Sequence, residues 1–257
     1  MATARRDFSI PLVDLAAEPQ RQVIVDREAG QYLGHPTTAL LDDGQTIITV
    51  YPKGHGRGSV VMKKSHDGGR TWSDRLSVPD NWSTSQEVPT LYRTVDARGK
   101  RRILMFSGLY PIRMAYSEDE GETWSRLEHI GDYGGIVAMA DVARLQDGRY
   151  MALFHDDGRF LRNSGQQTNA FVVYAVYSDD GGLNWGQPEV VTAHPQAHLC
   201  EPGIVRSPDG GQLCMLLREN SRQFNSMVIF SDDEGHSWSA PRELLGALTG
   251  DRHQAIY

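Results

Sequence analysis

The chain has 257 residues, 39% of them hydrophobic and 23% charged, which is a globular composition with length enough to bury a real core. Lys plus Arg total 26 against 33 for Asp plus Glu, a net charge of −7, so the basic surface that a nucleic-acid partner demands is missing. No run of 18 apolar residues exists to span a membrane, and the polar start Met1–Asp7 shows no apolar signal region, so a cytoplasmic location and no membrane partner are expected.

In chain order, residues 1–31 read as an N-terminal segment whose run Gln22–Asp26 is a candidate ring-closing strand, and residues 32–257 as one domain. The domain opens with two apolar runs around a tight turn, Thr38–Leu41 and Thr46–Tyr51 flanking Asp43-Gly44. A third run, Val60–Lys64, leads into the octet Ser65-x-Asp67-x-Gly69-x-Thr71-Trp72. The same order returns three times. Thr90–Thr94, Arg98-Gly99, Ile103–Ser107 and Ile112–Tyr116 precede Ser117, Asp119, Gly121, Thr123 and Trp124. Val137–Leu145, Asp147-Gly148, Tyr150–Phe154 and Phe171–Tyr177 precede Ser178, Asp180, Gly182, Asn184 and Trp185. Gly203–Arg206, Asp209-Gly210, Gln212–Leu217 and Met227–Phe230 precede Ser231, Asp233, Gly235, Ser237 and Trp238.

A strand–Asp-Gly–strand unit is a hairpin signal, and a weaker strand follows each Trp. Octets spaced 52, 61 and 53 residues apart therefore mark four-stranded antiparallel blades of an all-β propeller. Within the octet the Asp is placed to accept backbone N–H groups and the Gly to supply a positive φ, which ties the carboxylate into a turn. The Trp is placed to bury its ring between units.

Meander topology sorts the remaining polar residues. The Asp-Gly turns and octets share one face. The starts of first strands and the ends of second strands share the other, at the mouth of the central funnel. That face collects His35, the loop Lys53-Gly54-His55-Gly56-Arg57, Glu87, Tyr110 and Arg113. It also collects Asp132, His155-Asp156-Asp157-Gly158-Arg159, His198, Glu201-Pro202, Arg218-Glu219-Asn220-Ser221-Arg222 and Asp251-Arg252-His253. Such polar convergence suits a glycan. Lys53–Arg57 equally reads as a flexible basic loop, and Asp156-Asp157 as solvated turn acids. His194 and His198 stand four apart, but Pro195 denies them a helix, so no metal is expected there, and no cofactor is called for. Cys200 and Cys214 read as small core side chains.

The octet resembles the Asp-box, or bacterial neuraminidase repeat, and residues from about Tyr32 to Tyr257 resemble the six-bladed propellers of the sialidase superfamily. A sixfold ring needs on the order of 330 residues at this spacing. The resemblance thus implies four blades and the start of a fifth, with an open edge prone to self-association. It also implies a glycoside hydrolase of the exo-sialidase kind, acting on terminal sialic acid or a related acidic sugar. Such enzymes hold the substrate carboxylate with three arginines and use a Tyr nucleophile activated by Glu. Glu201 resembles the activating Glu, and Arg218 the second arginine of the triad. The stretch Leu33-Gly34-His35-Pro36 lacks the first arginine, and Lys53–Arg57 lacks the general-acid Asp. His55 or an acid of the Asp156–Asp157 pair is then the stand-in acid, with His35, Arg57, Glu87, Arg113, Asp157, Asn220 and Arg252 binding substrate. The third arginine and the Tyr belong to blades five and six, so the chain by itself is expected to be a poor or inactive catalyst. A noncatalytic propeller that binds glycan or protein remains the alternative.

Overall fold

The computed structural model of the protein describes residues 13–161, 171–251 and 253. Among the described residues fifteen strands form four sheets. Blade one holds β1 (Thr37–Leu40), β2 (Ile47–Pro52) and β3 (Val60–Ser65). Blade two holds β4 (Thr90–Val95), β5 (Arg101–Ser107), β6 (Arg113–Ser117) and β7 (Glu128–His129). Blade three comprises β8 (Ile136–Arg144), β9 (Tyr150–Asp156), β10 (Val172–Ser178) and β11 (Glu189–Ala193). Blade four comprises β12 (Leu199–Arg206), β13 (Leu213–Glu219), β14 (Met227–Ser231) and β15 (Arg242–Glu243). Every pairing is antiparallel between sequence neighbours. In blade one the fourth place is taken by residues 73–76. There Ser73 N donates to Lys64 O and Leu76 N to Met62 O, each at 2.9 Å, without a full strand forming.

The run Gln22–Asp26 is not in a strand. Side chains hold it against blade one. Lys63 Nζ donates to Val25 O at 2.6 Å, and Asp26 accepts from Tyr51 Oη at 2.5 Å and Arg75 Nε at 2.7 Å.

Second strands of blades two and three are apolar along most of their length because those blades are covered on both faces; all seven residues of β9 are buried, whereas β13 of blade four alternates buried and half-buried. Three clusters fill the spaces between blades. Ile48, Val50 and Met62 meet Leu91, Met105 and Ala115 between blades one and two. Leu104, Phe106 and Met114 meet Met139, Phe154 and Tyr174 between two and three. Met151, Leu153 and Val173 meet Leu199, Met215 and Ile229 between three and four. The octet Trp of blades two, three and four joins the cluster shared with the preceding blade: Trp124, Trp185 and Trp238 in turn.

The octet turn is closed by its own side chains. The Ser hydroxyl donates to Asp Oδ1 at 2.8–2.9 Å and accepts from the octet Gly N–H at the same range. Asp Oδ1 also accepts the N–H four residues on, and Oδ2 takes that residue's side chain. Asn184 serves in the third copy because its amide donates as a hydroxyl would, at 2.6 Å. These bonds hold Asp67, Asp119 and Asp233 down at about 2. At Asp67 the Thr71 N–H leads; at Asp119 partial burial opposes and is outweighed by Thr123; at Asp233 the Ser237 hydroxyl leads.

The octet glycine is required twice over. Gly121 and Gly182 have φ of 79° and 93°, and a Cβ on either would overlap the tip of Ile48 or Leu104, on the second strand of the preceding blade. Gly99 has a similar φ of 82° but open space around it. Gly99→Ala should therefore cost about 1–2 kcal/mol of backbone strain alone, and Gly182→Ala roughly 2–4 kcal/mol with overpacking added, read by urea denaturation. Depressed carboxylates stabilise the fold above their unfolded pKa and lose that contribution as pH falls through the folded value. The melting temperature should thus hold above pH 5 and fall steadily between pH 4 and pH 2.

Candidate functional site at the funnel mouth

β12 begins where β13 ends, with Leu199 opposite Glu219 and Cys200 opposite Arg218. The register then skips, so that Gly203 faces Leu216 and Glu201-Pro202 forms a bulge. Proline has no N–H for the ladder, and a bulge re-aims a side chain. Glu201 takes φ of 46°, a left-handed conformation costly for a non-glycine residue. His35 and Val137, at the starts of blades one and three, share it with φ of 52° and 49°.

Two contacts hold Glu201 there. Arg218 Nη1 donates to its Oε1 at 2.5 Å, and its own N–H reaches His155 Nδ1 of blade three at 3.4 Å. His155 is 3% exposed, and burial pushes its imidazole down to about 3. It is neutral at any ordinary pH, so Nδ1 can accept only as the Nε2–H tautomer. Phe171 stands edge-on to His155 and to His198, with centroids 5.4 and 5.0 Å apart. Arg218 Nε lies 3.4 Å from Asp251 Oδ1, and Arg222 also pairs with Asp251. Burial works against the Arg218 charge, but Glu201 and Asp251 outweigh it and hold the guanidinium firmly protonated.

A second group lies on blade one. His35 Nε2 and His55 Nδ1 are 3.4 Å apart, and Tyr32 stands against His55 with centroids 5.5 Å apart. A Cβ on Gly34 would overlap the Tyr32 ring, so the space for a longer side chain at that position is taken. Between the groups, Leu109 and Gly135 exchange backbone hydrogen bonds of 2.8 and 3.1 Å. Tyr110, half exposed, stacks near Phe160 and donates to Asp132 Oδ1 at 2.6 Å.

Several expected site residues do other work. Asp156 is 1% exposed, and its Oδ2 accepts the N–H groups of Gly158, Phe160 and Leu161 at 2.9–3.2 Å. Through Oδ2 it shapes the loop after β9, while its buried Oδ1 has no partner among the described residues. Asp157 pairs with Arg159 at 2.8 Å. Arg113 donates to Thr84 Oγ1 and Thr84 O, tying β6 to the 3-10 turn Asp80–Thr84. Glu87 is buried, with Oε2 3.4 Å from Ala138 N. Asn220 is exposed beside Arg218, and its N–H donates to His198 O at 2.9 Å. Arg252 lies outside the described residues. His194 Nδ1 accepts from Gln196 and Ala197 N–H groups. Cys200 is buried and its thiol is pushed up to about 12 by burial; Cys214 is half-buried.

Two residues without an expected role prove central. One is His155. The other is Glu219, 2% exposed, which accepts from the N–H groups of His198, Ser221 and Gln223 at 2.8–3.1 Å and from the Ser221 hydroxyl at 2.7 Å. Burial alone would raise its carboxyl, yet these donors hold it low. The sequence signal for both is position: an acid or His in the last two places of a second strand, ahead of a loop.

Stacked meander blades, with octet turns on one face and polar loops on the other, define a β-propeller. The BNR repeat-like domain matches residues 111–248. A sialidase of Clostridium perfringens is 23% identical over 275 residues, covering 93% of this chain and 70% of that protein. An anhydrosialidase of Macrobdella decora is 31% identical over 138 residues, 54% of this chain and 18% of that protein. Among solved structures, the GH93 α-L-arabinofuranosidase of Fusarium graminearum shares the fold with a TM-score of 0.61 at 16% identity, covering 82% of this chain and 67% of that one. The chain belongs to the BNR repeat-like family and is a sialidase-superfamily β-propeller. Among the described residues, no helix is long and apolar enough to cross a membrane.

Removing the Glu219 carboxylate strands buried N–H groups. Glu219→Ala should cost roughly 2–4 kcal/mol and Glu219→Gln less, measured by urea denaturation.

Proposed function

We propose that the protein is a glycoside hydrolase of the sialidase kind, binding an acidic sugar at the funnel mouth. The observation that carries this reading is the Glu201–Arg218 pair at 2.5 Å, set by a bulge and a left-handed residue between blades three and four. A carboxylate fixed beside a guanidinium can accept a proton from a hydroxyl of the substrate or of a nucleophile, while the guanidinium donates to oxygen atoms of the sugar. Sialidases among the relatives and glycoside hydrolases among the structural neighbours support the same class. With Asp156 turned into its loop, His55 is the stand-in general acid of the expected pair.

The test is saccharide binding and turnover in a version extended by blades five and six, taken as the parent, and in its Glu201→Gln, Arg218→Ala and His55→Ala variants. The parent should bind sialosides or related acidic glycosides, and Arg218→Ala should weaken binding at least tenfold. Glu201→Gln and His55→Ala should lower turnover at least a hundredfold with the circular dichroism unchanged. Unaltered binding and turnover in Arg218→Ala would reject the site. Binding with no turnover in the parent would establish the noncatalytic alternative.

A further inference from the structure

The loop after β2 is built tightly. Lys53 N donates to Ser59 O at 3.0 Å and Gly58 N to Ser85 O at 3.4 Å. Gly58 has φ of 119°, and a Cβ on it would press on the Lys53 carbonyl. This curled loop, with Ser85, Gln86 and Leu109 from blade two, lines an open hollow of about 910 Å³. The lining side chains include Lys53, His55 and Arg57 and no carboxylate, in a chain where acids outnumber bases by 33 to 26.

The nearby acids are already engaged. Glu28 pairs with Lys53 at 3.0 Å and with Arg75 at 2.6 Å, and Asp26 pairs with Arg75 at 2.7 Å. Among the described residues no ion pair engages Arg57. One cation therefore faces the hollow without a counter-charge, beside an imidazole and a primary amide; the Ser85 hydroxyl is already spent on Glu87 O.

We propose that this hollow is an oxyanion subsite that takes the carboxylate or sulfate ester of an acidic saccharide, with Arg57 as its principal partner and Gln86 as a further donor. Guanidinium matches either oxyanion through paired N–H bonds. The proposal rests on the funnel mouth being a glycan site, and it places the substrate's charge on blades one and two rather than at Arg218. Blade one then recognises an anion without an arginine at Gly34, whose side-chain space Tyr32 fills.

The experiment is calorimetric titration of the protein with glucuronic acid, N-acetylneuraminic acid, N-acetylglucosamine 6-sulfate and uncharged N-acetylglucosamine. Parent, Arg57→Ala, Arg57→Lys and Arg218→Ala proteins are compared, with circular dichroism to confirm folding. At least one acidic sugar should bind tenfold or more tightly than the neutral one. Arg57→Ala should erase that preference and Arg57→Lys should keep part of it. Whether the carboxylates or the sulfate ester lose affinity in Arg57→Ala identifies the group held. A preference that persists in Arg57→Ala but vanishes in Arg218→Ala overturns the proposal and leaves the proposed function standing. Equal binding of acidic and neutral sugars by the parent also overturns it while keeping a glycan site. No saccharide binding by the parent overturns both readings.

Discussion

The packing of the octet glycines of blades two, three and four under the second strand of the preceding blade is the constraint on which the rest of the structure depends. Gly121 lies against Ile48, Gly182 against Leu104 and Gly235 against Met151, so one contact repeats at every blade junction. It works only because the Ser–Asp bonds close the turn from within and leave the outer surface of the glycine bare. The Trp three places on then fills the neighbouring cluster, and its indole N–H returns to the octet glycine carbonyl at 2.9–3.2 Å. An indole so placed is worth several kcal/mol of burial, and it cannot reach the cluster if the turn opens.

Fastening the blades at that face frees the other. At the funnel mouth the loops are long and differ from blade to blade, and each needs its own internal brace. Blades three and four use the same device, a buried carboxylate at the end of the second strand: Asp156 in one and Glu219 in the other. Each collects the N–H groups of the following loop, which a solvated acid would leave to water. At Glu219 these donors outweigh the cost of burying the charge.

The repeats, the hairpins and the split between faces were legible because they rest on local chemistry. Asp-Gly forms a turn wherever it occurs, and four octets at blade spacing leave no other fold. The site was legible only in part. Glu201 and Arg218 could be placed together because adjacent antiparallel ends must meet. Asp156 looked the same as a funnel-facing acid because sequence does not say which way a carboxylate turns at a strand end. Arg113 sits at the correct level of its blade, but on the third strand, where its side chain meets Thr84 of the preceding segment. The role of His155 depends on a contact between blades 46 residues apart, and no local pattern encodes that.

That contact also explains how a strained residue is kept at the site. Glu201 has lost its ladder partner to the bulge and sits in the left-handed region, two costs that an isolated blade would relieve by straightening β12. Straightening would return its N–H to the ladder and withdraw it from His155 Nδ1. It would also shift Ile204, whose N–H is fixed at 2.8 Å to Asp141 of blade three. Blade three therefore holds the first strand of blade four at both sides of the bulge, before it and after it. The same stacking that the octets enforce on the opposite face supplies the lateral grip that keeps the Glu201–Arg218 pair formed. Fold and site are thus joined through the blade interface and not through the blade that carries the residues.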